Sequence, residues 1–222
     1  MRPRRSRSPR RVCGGARLVL NSVVRHAFKE WAVIVDALMR GRQIIILRKG
    51  GLIEGTHGFQ VEQPEFLLFP TLFHQQRESV LPEAQVRFDA LAPLLPEPSV
   101  VRLECFARVA AWQRLETLPA AHALRGLHVW REDVIAERFD WGRSKEIHVL
   151  AVRIFRLAAP VELAMRESYG GCKSWVELSE DISTVGATAV LSEPAFSAQL
   201  TLFHKALEPK APELVAIPAG VP

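Results

Sequence analysis

Arg48 and Lys49 end the run Gly41-Arg42-Gln43-Ile44-Ile45-Ile46-Leu47 and open onto Gly50-Gly51. Four consecutive apolar residues, three of them β-branched, read as a short buried strand. A strand that delivers two cations to a glycine turn sets positive charge beside exposed backbone N–H groups, and that is an anion site. Arginine brings a planar fork that grips a phosphate through two hydrogen bonds, while lysine adds a point charge. The same pair equally describes solvated charge at a strand end, and both readings stay open at this stage.

Further candidates lie downstream. His74 and Gln75 follow Phe69-Pro70-Thr71, where a strand end points side chains into a cleft. His74 has the acid–base range for proton transfer near neutrality, and a capping or packing role is its alternative. Glu54 can pair with Lys49 or act as a base. Cys172, between Gly171 and Lys173, is a candidate thiolate, and its histidine would be His74 or His128. Trp175 offers a stacking surface or a core residue, and Trp31 is read as core. A nuclease built on an Asp followed by Glu-any-Lys would use Asp36 and Glu54. The chain's one Glu-any-Lys is Glu208-Pro209-Lys210, far away at the C-terminus. No P-loop, dinucleotide glycine pattern or metal-binding histidine pair occurs, so no metal and no cofactor is expected.

The net charge of +5 is uneven. Arg2, Arg4, Arg5, Arg7, Arg10 and Arg11 fall among eleven residues without an acid, and apart from those six, 23 basic residues face 24 acidic ones. A body near neutrality is not a broad nucleic-acid binder, and the basic character belongs to the tail. The expected organisation is a disordered basic tail over 1–24, one α+β domain over 25–208 with a proline-rich excursion near 80–99, and a frayed tail over 209–222. Cys13, Cys105 and Cys172 show no paired spacing, so the reducing cytoplasm is the expected compartment. No apolar run reaches the roughly 20 residues of a membrane span.

These residues have to be positioned by a small set of elements. Phe28, Trp31, Val35 and Leu38 have helical spacing over Ala27–Met39, and Gly41 is placed to stop that helix. Strands are expected at Gln43–Leu47, at Phe66–Phe69 stopped by Pro70, at Val101–Val109, at Ile147–Leu157 closed by Pro160, and at Trp175–Leu178. Leu52-Ile53-Glu54 reads as the start of a return strand. Helices are expected near Thr71–Arg77, Ala84–Leu91 and Arg131–Phe139. A last helix is capped by Ser192, with Phe196, Leu200, Phe203 and Leu207 as its buried stripe. The order gives a mixed α+β fold with a mainly antiparallel sheet curled into a small barrel.

Lys29-Glu30-Trp31-Ala32, Arg48-Lys49-Gly50-Gly51, Phe69-Pro70-Thr71 with His74-Gln75, and Tyr169-Gly170-Gly171-Cys172-Lys173-Ser174-Trp175 together resemble an uncharacterised bacterial family, domain-of-unknown-function family 1802, over roughly Phe28 to Leu178. That resemblance brings no activity. A fainter one is to the ASCH branch of the PUA-like superfamily, whose helix leads into Gly, any, Lys, two of any, Glu, any, Arg. Gly41 and Arg48 match at the right separation, whereas Gln43 replaces the lysine and Ile46 the glutamate. This resemblance implies a PUA-like β-barrel with flanking helices whose cleft binds RNA or a modified nucleoside or base. Without the lysine and glutamate, amide-hydrolase chemistry is not carried over.

The resulting expectation is binding of RNA, a nucleotide or a modified base without catalysis, at Arg48, Lys49, Gly50, Gly51, His74, Gln75, Lys173 and Trp175. The alternatives are a hydrolase or nuclease using His74, Glu54 and Lys49, and a protein-interaction module with no small ligand.

Overall fold

The structure is a computed structural model that describes residues 23–49, 63–142, 144–171 and 173–208, with the side chains of His74 and Gln75 outside the description. Gly50, Gly51, the expected return strand with Glu54, Cys172 and most of both tails therefore lie outside the described residues. The chain runs β1 (Val23–Trp31), α1 (Ala32–Met39), β2 (Ile45–Arg48), β3 (Glu65–Thr71), a 3-10 turn (His74–Ser79), α2 (Pro82–Leu91) and β4 (Val100–Leu115). It continues through α3 (Leu118–His122), α4 (Glu132–Asp140), β5 (Ile147–Ala164), β6 (Trp175–Ser183), β7 (Thr188–Ala189) and α5 (Glu193–Leu207).

The expected helix over Ala27–Met39 is two elements. Residues up to Trp31 form β1, which lies between β3, parallel to it, and β6, antiparallel to it. Buried between two strands and covered on both faces, β1 loses the alternation of a half-solvated strand. Phe28 joins the larger apolar cluster beneath the helices, and Ala27 joins a second cluster on the other face. Trp31 is thus a half-buried residue at a strand–helix junction, outside the helix expected to hold it. Gly41 does stop α1. Its φ of +66° permits the Schellman turn in which Gly41 N–H donates to Leu38 O and Arg42 N–H to Ala37 O.

Neither proline ends its strand. Pro70 stays in β3 opposite Glu30. Pro160 sits in an irregularity of β5, where Leu103 pairs with Val161 but Cys105 pairs with Arg156, so the proline lacks a ladder position to disrupt.

The sheet is mixed, with seven strands in the order β2-β5-β4-β3-β1-β6 and β7 beside β5, and it is not closed into the expected barrel. Both sides of β1 are already taken by β3 and β6, and among the described residues no pairing joins the end strands β2 and β6. Of the helices, α5 is capped as expected, with Ser192 Oγ accepting from Ala195 N–H. Phe196 and Phe203 are buried, and Leu200 and Leu207 pack against the same core. No helix among the described residues is long and apolar enough to cross a membrane.

Candidate functional site

Where a barrel would close, a side chain makes the contact. Lys29 N–H donates to Ser174 O at 2.9 Å, and β6 begins at Trp175 opposite Phe28. In a strand the N–H and C=O of one residue point to the same side. The Lys29 carbonyl therefore faces a position that β6 has not reached, and it accepts a hydrogen bond from Arg48 Nη2.

Around that contact stands a charged and aromatic cluster. Arg48 Nε is 3.7 Å from Glu30 Oε2, with side-chain exposures of 20% and 1%. Its guanidinium lies 4.5 Å from the Phe28 ring centroid. Glu30 Oε1 accepts from Trp31 N–H at 2.8 Å, so the carboxylate is held by its own strand end. Arg138 from α4 stacks 4.5 Å from the Trp31 ring and 5.4 Å from Trp130, and its Nη1 donates to Leu47 O at 3.4 Å. Burial pushes its pKa down to about 10, opposed by Glu30 and reinforced by Arg48, so it stays cationic at neutral pH. The Glu30 carboxylate thus pairs with Arg48 and acts on Arg138 through its field, so two guanidiniums stand near one carboxylate. Cross-strand pairing continues the row, because Arg48 pairs with His148 and His148 with Arg114. Directly paired residues share a sheet face. Burial holds His148 below the usual imidazole range, with Glu146 opposing and Arg114 and Lys49 adding to the shift.

Lys49 has a different employment. Its Nζ donates to Phe139 O at 2.8 Å, to Glu146 O at 3.0 Å and to Ser144 O. An ammonium has three N–H groups, and here each has a carbonyl. Lys49 therefore ties the segment between α4 and β5 to the end of β2, with its Nζ engaged by three carbonyls.

The remaining candidates divide. Trp175 stands against Phe28 and Phe66 at 4.8 and 5.1 Å between ring centroids, so it and Arg48 both contact Phe28. Thr71 lies opposite Trp31 and its hydroxyl donates to Glu30 O at 3.2 Å, which brings the Phe69-Pro70-Thr71 strand end to the same place. His74 and Gln75 begin the 3-10 turn beyond it. Lys173 is exposed in the turn before β6. Lys29 fixes that turn, its Nζ donating to Gly170 O at 3.2 Å and Gly171 O at 3.1 Å. Asp36, weighed as a nuclease ligand, instead accepts both arms of Arg87 at 2.8 and 3.1 Å. His128 is 3% exposed, and burial pushes its pKa down to about 4. Burial raises the Cys105 thiol to about 12, which removes it as a nucleophile. Among the described residues no group of three or more His, Cys, Asp or Glu is placed to hold a metal ion.

The two positions where the resembling ASCH pattern has lysine and glutamate are structural. Gln43 is buried, donating to Ile45 O at 2.8 Å and accepting from Val129 N–H at 3.1 Å. Ile46 is wholly buried in the larger core. Sequence reading missed Glu30, Arg138, Trp130 and His148 as members of the cluster. Only Glu30 carried a signal, an acid next to the cation Lys29 immediately ahead of the apolar run 31–35.

The profile of a family described as Domain of unknown function (DUF1802) matches residues 27–201. No protein with a curated description matches the chain. Among solved structures, the chain is similar to ASCH from Zymomonas mobilis, at 9% identity and TM-score 0.41 over 79% of this chain and 92% of that one. A point mutant of the same Zymomonas mobilis protein is similar at 10% identity and TM-score 0.40, over 80% and 96% of the two chains.

Proposed function

The chain belongs to the DUF1802 family, and because that membership names no activity, we propose from its own side chains that it binds an RNA segment or a nucleotide without catalysing a reaction. The site is the cluster where Arg48, at the end of β2, meets β1. The observation that supports this most is that Arg48, paired with Glu30 and set over Phe28, and Arg138, set over the half-buried Trp31 ring, stand near one another and near a single carboxylate. Guanidiniums in excess beside aromatic faces suit a phosphate joined to a flat base.

The engaged ammonium of Lys49 and the structural roles of Gln43 and Asp36 favour binding over hydrolysis. Binding of a labelled RNA by Arg48→Ala and His74→Ala separates the two. In the binding reading Arg48→Ala weakens affinity by about 1–3 kcal/mol, and His74→Ala does much less. In the hydrolytic reading His74→Ala abolishes turnover, a loss of roughly 10²–10⁴-fold, and leaves affinity near the starting value. Because Arg48 also holds Lys29 O, Arg48→Lys, which keeps the charge and loses the fork, is measured alongside. A hydrolysis rate that survives in Arg48→Lys and vanishes in His74→Ala overturns the proposal.

A further inference from the structure

The C-terminus of α4 carries a residue that the arginine cluster does not use. Trp141 is 73% exposed, the highest value among the exposed large apolar side chains of the described residues. An indole is the largest apolar group a protein has, and leaving it in water forgoes the stabilisation that burial brings.

Its mount is firm. Trp141 N–H donates to Glu137 O at 2.9 Å, finishing the helix. Phe139, two residues before it, is buried in the core. Lys49 fixes the carbonyls of Phe139 on one side of Trp141 and of Ser144 and Glu146 on the other. The exposed ring is therefore carried by backbone that is pinned at three points to the end of β2.

Its position relates it to the cluster. Arg138, stacked on Trp31 and Trp130, precedes Trp141 by three residues, one helical turn or about 5–6 Å between side-chain origins. A second exposed ring follows the end of β3. Phe73, 62% exposed, comes two residues after Thr71, which pairs with Trp31.

An open ring beside a cationic site matches one ligand chemistry. In a duplex both faces of each base are stacked, so an exposed indole gains nothing from it except at an end. A free nucleotide is usually enclosed by its pocket, which buries most of its surface, and Trp141 encloses nothing. An unpaired base in a strand can lie on the open ring while its own phosphate reaches the arginines.

We propose that Trp141 is a stacking platform for an unpaired base of single-stranded RNA whose phosphate is taken by Arg48 and Arg138. This rests on the binding reading above and narrows it from a nucleotide or RNA to an unpaired RNA segment.

The test uses the full chain, a fluorescein-labelled single-stranded RNA dodecamer of mixed sequence, and the same RNA annealed to its complement. Salt is set at about 200 mM, so that the arginine tail common to all variants contributes little. Trp141→Ala is expected to weaken single-strand binding roughly tenfold, Trp141→Phe to weaken it less, and neither to change duplex binding. Both substitutions replace an exposed side chain, and thermal melts confirm that the fold is kept. Loss of the ligand-induced quenching of tryptophan emission in Trp141→Phe, with affinity largely kept, places the base on that ring. If single-strand affinity falls in Arg48→Lys but is unchanged in Trp141→Ala, the platform is wrong and the binding reading stands. If the wild-type chain binds neither RNA form, both are wrong.

Discussion

Arg48, the last residue of β2, donates to the carbonyl of Lys29 in β1, so two regions at opposite ends of an open sheet are joined by a side chain instead of a strand pair. The register of the four-residue strand Ile45–Arg48 is set by its pairing with β5, and the contact ties its last residue to β1 as well. It also puts the cation beside Glu30, whose buried carboxylate pairs with Arg48 and favours the charge on Arg138. Structure and proposed function consequently depend on the same few residues.

Glu30 tests that dependence. With a side chain 1% exposed, its removal in Glu30→Ala leaves Arg48 and Arg138 facing each other in a poorly solvated place. The expected cost is about 3–5 kcal/mol, the range for breaking a buried ion pair by deleting one partner, read from urea unfolding. Glu30→Gln keeps an oxygen for Trp31 N–H and removes only the charge. Its expected outcome is a smaller loss of stability with tighter RNA binding. Unchanged affinity in Glu30→Gln would separate the carboxylate from the binding site.

Lys49→Met keeps the apolar stem and removes the donors to Phe139, Ser144 and Glu146. Stability is expected to fall by about 2–3 kcal/mol, on the scale of hydrogen bonds made by a charged group. Amide hydrogen exchange should accelerate between α4 and β5 while β3 and β4 keep their protection. Uniform acceleration across the sheet would mean that Lys49 supports the whole fold and does not act locally as a tie.

Acid stability follows from His128. Burial holds its folded pKa at about 4, against 6.5 for the free side chain; Glu132 and the Trp130 backbone oppose the shift, and Arg138 and His122 add to it. The unfolded chain therefore takes up this proton first as pH falls. The contribution is complete above pH 6.5 and is lost progressively down to about pH 4, amounting to about 3 kcal/mol. His148, also lowered by burial, adds in the same direction. Unfolding free energies measured across that window should slope upward with pH and flatten in His128→Leu. Parallel slopes in the two proteins would contradict the assignment.

Much of the fold was legible where a pattern is local. The α2, α4 and α5 helices, the central stretches of β2 through β6 and the Gly41 stop follow from spacing, caps and glycine chemistry within a few residues. β1 was not legible, because a strand buried on both faces has no alternation, and Phe28 and Trp31 happen to continue the apolar spacing of Val35 and Leu38 in α1. Pro160 misled for a related reason: the irregularity that accommodates it depends on how β4 and β5 are paired. Of the candidate site, the cations Arg48 and Lys49 were visible, but their partners are carbonyls and a carboxylate from other elements. Arg138 and Trp141 gave no signal in the sequence, since the relation of Arg138 to Trp31 and of this helix end to Lys49 exists only once α4 has docked.

The most direct test of the central claim is photo-cross-linking of a thiouridine-substituted single-stranded RNA to the full chain, with the attached residues mapped by mass spectrometry. The account predicts adducts on peptides carrying Trp31, Arg138 and Trp141, reduced in Arg48→Lys, with the unattached RNA recovered at its original length. Adducts confined to the arginines of residues 1–11, or RNA shortened during incubation, would contradict it.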